Sequence, residues 1–113
     1  MPKAMYNLIG QYIEEIKKIY GSHVRQIILY GSYARGDFRP DSDIDIMILV
    51  DSTEDTIKQK GRMVSDITFD FNLDHDIMIM PIVKNVNHFQ YWLPADPFYK
   101  NVKNEGVELY VAQ

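Results

Sequence analysis

The sequence predicts an α/β (α+β) fold, a small mixed sheet with helices packed on it, and three observations point there. An amphipathic helical stripe opens the chain, short apolar runs bounded by turn residues follow, and helix-period and strand-period stretches alternate without an internal repeat or linker. The predicted order is α-β-(α)-β-α-β-α-β, in a single domain over residues 1–113.

From Met5, apolar residues fall at Leu8, Ile9, Tyr12, Ile13, Ile16, Ile19 and Tyr20, one face of a helix that Gly21 ends. Glu14, Glu15, Lys17 and Lys18 lie off that stripe and read as a solvated face. His23 to Tyr30 reads as a first strand, stopped by Gly31-Ser32, with a short helix after it. The segment Gly36 to Ser42 collects Gly, Pro, Asp and Ser and marks a loop. Asp43 to Val50 forms a second strand, apolar on both faces beyond its two aspartates, which suits a central position. Ser52 and Asp55 fit the start of a second long helix, with Ile57, Val64, Ile67, Thr68 and Phe71 on its buried side. Asn72 and Asp74 then read as a turn, and His75 to Val83 as a third strand that Pro81 weakens. Asp96-Pro97 opens a last helix, Gly106 follows its final turn, and Val107 to Val111 adds a strand.

Composition narrows the function. A formal net charge of -4 argues against a chain that grips long DNA or RNA by itself. The absence of cysteine excludes disulfides and thiolate metal sites and makes the cytoplasm the default location. The N-terminal stretch has too many charges for a signal peptide, and no apolar run reaches membrane-spanning length.

The informative stretch runs from Tyr30 to Asp45. A strand that breaks at Gly31-Ser32 and opens a helix presents free backbone N–H groups to an anion. Ser32 adds a hydroxyl, and Arg35, one turn on, adds a planar fork. Asp43 and Asp45 are two apart on a strand, so both leave one face with Cα atoms about 6.5 Å apart and can reach one cluster of hard cations. Such a pair, starting an apolar strand, would repel without a cation. An isolated Asp-x-Asp is more often a surface strand start; its pairing with Gly-Ser across ten intervening residues reverses that reading.

Gly31-Ser32, ten residues, then Asp43-x-Asp45 resembles the signature of the polymerase-β nucleotidyltransferase superfamily, and the closing segment Pro97 to Tyr110 resembles the end of its minimal members. The resemblance implies a polymerase-β-like fold, two Mg²⁺ ions, ATP as substrate, and metal-binding catalytic roles for Asp43, Asp45 and a third carboxylate. Asp76, heading an apolar run, fits that third place better than Asp74, which falls in the presumed turn. Gly31, Ser32 and Arg35 then take the nucleotide phosphates. Minimal members commonly serve as antitoxins that adenylylate a tyrosine of a HEPN ribonuclease toxin, so the resemblance implies a HEPN partner, while charge and hydropathy lead to the expectation of no direct nucleic-acid or membrane binding. A small-molecule nucleotidyltransferase and a non-catalytic antitoxin remain as alternatives.

Other residues read as structural. His75 should leave the face opposite Asp76, and His23 and His88 lack ligand spacing. Phe89, Tyr91, Trp92, Phe98 and Tyr99 read as core, and Asp37, Arg39 and Asp41 as loop residues, with Arg39 near enough in sequence to meet a phosphate.

Overall fold

The computed structural model describes residues 2–113. Helix α1 (Lys3–Tyr20) leads through a 3-10 turn at Gly21–His23 into β1 (Val24–Tyr30). The short α2 (Ser32–Arg35), β2 (Ile44–Val50), α3 (Glu54–His75), β3 (Ile79–Asn85), α4 (Val86–Trp92), α5 (Pro97–Glu105) and β4 (Val107–Val111) follow. The strands make one mixed sheet in the order β3-β2-β1-β4. β1 is antiparallel to β2 and β4, whereas β2 and β3 run parallel across α3, the crossover helix that parallel neighbours require.

Strand alternation divides the core between two faces. Ile44, Ile46 and Ile48 of β2 join Ile27 and Leu29 of β1 beneath α1 and α3, where Ile9, Tyr12, Ile16 and Phe71 pack. Met47 and Leu49 turn the other way, onto Ile28, Tyr30, Phe89, Tyr99 and Val102 from β1, α4 and α5. This accounts for β2 being apolar on both sides. Each large side chain buried here stabilises the fold by about 1.5–3 kcal/mol before entropy is counted. One polar bond crosses the first layer: Tyr12 Oη and Thr68 Oγ1 lie 2.6 Å apart in a buried contact.

Several boundaries differ from the sequence reading. α3 is capped by Thr53, whose Oγ1 accepts from the Thr56 N–H at 3.2 Å, rather than by Ser52, which is buried. It also continues through Asn72 and Asp74 to His75, where a turn and the start of β3 were expected. The reason lies in packing. Phe71 is buried and holds the His75 ring at 4.3 Å, so the buried stripe extends another turn. The Asn72 side chain then clamps the start of β3, accepting from the Ile79 N–H at 2.9 Å and donating to the Ile79 carbonyl at 3.1 Å. β3 is followed by α4, an additional helix, capped by Asn85 Oδ1 at the His88 N–H. Of the five aromatics assigned to the core, Phe89 and Tyr99 are buried while Tyr91, Trp92 and Phe98 are exposed. Among the described residues, no helix is long and apolar enough to cross a membrane.

Candidate active site

Register brings the two ends of the informative stretch together. Tyr30, the last residue of β1, pairs with Asp45 on β2, so Gly31 lies beside Asp45 although thirteen residues separate them. Gly31 has φ +77°, a conformation glycine adopts without the strain other residues suffer. A Cβ built there would fall on Asp45 Oδ2. Both features demand glycine at the point where the strand turns into α2.

Asp45 is half-buried and Asp43, just ahead of β2, is exposed. Asp45 shares its face with Met47 and Leu49, so it opens toward the α4 and α5 side of the sheet, at the end where β1 stops. Burial first, and the neighbouring Asp43 charge second, push the Asp45 carboxyl above the usual aspartate range; Arg35 works against this and Glu105 adds to it. Tyr30 is pushed up to about 12, by burial and then by Asp45, so its phenol stays protonated at neutral pH.

Arg35 ends α2 and is held by two carboxylates. Its Nε donates to Asp37 Oδ2 at 3.3 Å, and its Nη1 lies 3.3 Å from both oxygens of Glu105. Glu105 Oε1 also accepts from the Gly31 N–H at 3.2 Å. Sequence reasoning missed Glu105, whose one signal was a carboxylate in the last turn of a helix, where the dipole disfavours negative charge. Arg39 contributes its backbone N–H to Ser42 Oγ at 2.7 Å, a bond internal to the loop.

Asp76 sits at the end of α3 rather than on β3. It caps the C-terminus of α3 at φ 52°, ψ 49°, and lines a cavity of about 370 Å³ with Met5, Tyr33, Asp41 and Ser42. Ile44 pairs with Ile79 and Asp45 with Met80, so the β3 side chain beside Asp45 is that of the half-exposed Met80. Among the described residues, no group of three His, Cys, Asp or Glu is placed to hold a metal ion. Gly31, Arg35, Asp43 and Asp45 are thus brought together, with Ser32 opening α2 beside them, while Asp76, at the end of α3, forms no three-carboxylate group with the pair.

A divalent cation fits this pair. Asp43 and Asp45 offer hard oxygen donors at an open strand end, and the glycine turn leaves room on the Asp45 oxygen. A family model described as a nucleotidyltransferase domain matches residues 9–108. The chain belongs to this family. Two proteins of Methanocaldococcus jannaschii, both named "putative protein adenylyltransferase", are each 34% identical to it over 102 residues, which is 90% of this chain and 95% and 94% of theirs. Among solved structures, a "putative nucleotidyltransferase" from Sulfolobus solfataricus superposes with TM-score 0.64 at 22% identity, covering 96% of this chain and 81% of that one. A toxin–antitoxin complex with AMP-PNP superposes with TM-score 0.58 at 21% identity, covering 91% of this chain and 73% of that one. A third neighbour, a tri-AMPylated Shewanella oneidensis HEPN toxin in complex with MNT antitoxin, gives TM-score 0.55 at 18% identity over 92% of this chain and 70% of that one. The nucleotidyltransferase fold and activity rest on these matches together with the site.

Proposed function

We propose that this nucleotidyltransferase transfers AMP from ATP to a tyrosine hydroxyl of a HEPN ribonuclease toxin and so acts as its antitoxin. The observation that carries the reading is the contact of the Gly31 turn with Asp45, which sets a phosphate-binding strand end against a carboxylate pair. The names of the relatives favour a protein acceptor, and the toxin–antitoxin complexes among the fold neighbours favour a HEPN partner.

In this reading Gly31, Ser32 and Arg35 bind the triphosphate, while Asp43 and Asp45 hold two Mg²⁺ ions. When bound, the cations neutralise the phosphates and stabilise charge on the attacking and leaving oxygens. The tyrosine oxygen forms a bond to the α-phosphorus, the bond to the bridging oxygen breaks, pyrophosphate leaves, and the phenolic proton passes to solvent or a carboxylate. The chain's own contribution is orientation of the nucleotide and a fixed arrangement of charge. Asp76 keeps the third-carboxylate role as an assignment open to its own test: Asp76→Asn should match the loss seen for Asp45→Asn, and an unchanged rate would leave a two-carboxylate centre.

The test is incubation with a HEPN partner, Mg²⁺ and ATP labelled at the α or the γ position. Label from the α-phosphate alone should reach the partner, and Asp43→Ala with Asp45→Ala should abolish it. Label on a small hydroxylated molecule instead, or neutralisation of the toxin that survives loss of both aspartates, would overturn the proposal.

A further inference from the structure

Glu105 is the last residue of α5, separated from β4 by Gly106 alone, and nothing in the transfer reaction described above uses it. Its placement is costly. A carboxylate at a helix C-terminus faces the negative end of the dipole, and this one also raises the pKa of Asp45 through their mutual repulsion. Its side chain is 28% exposed, which leaves it only partly hydrated. The following residue fixes its position: a Cβ at Gly106 would fall on the Val102 carbonyl and on Ile28 Cγ2, so the chain passes tightly from α5 into β4 with Glu105 at the bend.

What offsets the cost is a pair of donors. The Gly31 N–H and the Arg35 guanidinium converge on the Glu105 carboxylate. These are two of the groups that the proposed function assigns to the nucleotide phosphates, and Arg35 is further neutralised by Asp37. A carboxylate and a phosphate compete for such donors because both, one planar and one tetrahedral, are oxyanions that accept N–H bonds with charge assistance.

Resting on that assignment, we infer that Glu105 is an internal competitor of the nucleotide: it occupies the Gly31 and Arg35 donors in the free enzyme and must release them for the triphosphate to bind. It is a specificity-setting residue rather than a catalytic one. While Glu105 holds Arg35, the anionic site formed with Asp43 and Asp45 disfavours a bare triphosphate, so binding is confined to the metal complex of the nucleotide, which brings compensating charge. Removing the Glu105 charge frees Arg35 and lowers the repulsion on the incoming phosphates.

The experiment is titration of the full chain with AMP-PNP, with and without Mg²⁺, in wild type, Glu105→Gln, Arg35→Ala and the double variant, with thermal melts confirming that each is folded. Glu105→Gln should tighten AMP-PNP by about 3-fold with Mg²⁺, in keeping with the modest strength of a partly exposed ion pair, and by a larger factor without it. The gain should shrink in the Arg35→Ala background, because the two residues act through one contact. Weaker or unchanged binding in Glu105→Gln, while wild type binds and Arg35→Ala binds less, overturns the inference and makes Glu105 a support for the Gly31 turn. If Arg35→Ala leaves the affinity of the wild type unaltered, the phosphate assignment itself has failed, and the inference fails with it.

Discussion

Gly31→Ala tests the central geometry, and Gly36→Ala supplies its control. Both glycines have positive φ, but Gly31 (φ 77°, ψ -156°) lies in a region essentially closed to other residues while Gly36 (φ 88°, ψ 3°) is left-handed, so alanine should cost about 1–2 kcal/mol of backbone strain at Gly36 and more at Gly31. For a domain of this size that lowers Tm by roughly 5–15 °C in Gly36→Ala and further in Gly31→Ala. The two sites differ in what the new methyl meets. Nothing lies within 4 Å of a Cβ at Gly36, whereas at Gly31 it falls on Asp45 Oδ2, so the carboxylate must move. A displacement on the order of 1 Å in a reacting arrangement costs about 100-fold in rate. Initial rates of AMP transfer, measured well below both melting temperatures, should therefore fall about 100-fold in Gly31→Ala and only a few-fold in Gly36→Ala. Equal activity in the two variants would refute the claim that the Gly31 turn exists to clear the Asp45 oxygen.

Other outcomes follow from the same contacts. The Asp45 pKa lies above its unfolded value, so its contribution to stability is fully present below the ordinary carboxylate range and is lost as pH rises through the lifted value. Asp45→Asn should abolish transfer yet raise neutral-pH stability by roughly half a kcal/mol or less, since solvent screens a half-exposed group; urea melts at acidic and neutral pH would show the wild-type and variant curves converging in acid. Mg²⁺ should raise Tm of the wild type and leave that of Asp43→Asn/Asp45→Asn unmoved, because only a cation bound to the folded state stabilises it. Tyr12→Phe leaves the buried Thr68 hydroxyl without its 2.6 Å partner and should cost about 1–3 kcal/mol in chemical denaturation, with transfer rates retained. Asn72→Ala removes both bonds to Ile79 and should speed amide exchange at the end of α3 and the start of β3 before any global loss.

The sequence by itself determined the residues of the candidate site. Gly31-Ser32 and Asp43-x-Asp45 were legible because each carries its own local signal: a strand broken by glycine, and a two-residue spacing that puts both carboxylates on one strand face. The apolar stripe of α1 and the two-sided β2 were legible for the same reason, since period and burial are written into neighbouring residues. What the sequence could not carry was decided by contacts between distant segments. The extension of α3 to His75 depends on Phe71 packing beneath α1 and on the Asn72 clamp to β3, so Asp76 became a helix cap rather than a strand residue. Pairing of Ile44 with Ile79 then put Met80 beside Asp45, a matter of register that no local pattern specifies. Glu105 reached Gly31 and Arg35 across seventy residues or more only because β4 pairs with β1 and returns the end of α5 to the point where β1 stops. The sequence supplied the chemistry of the aspartates, and the tertiary structure supplied the anion that faces them.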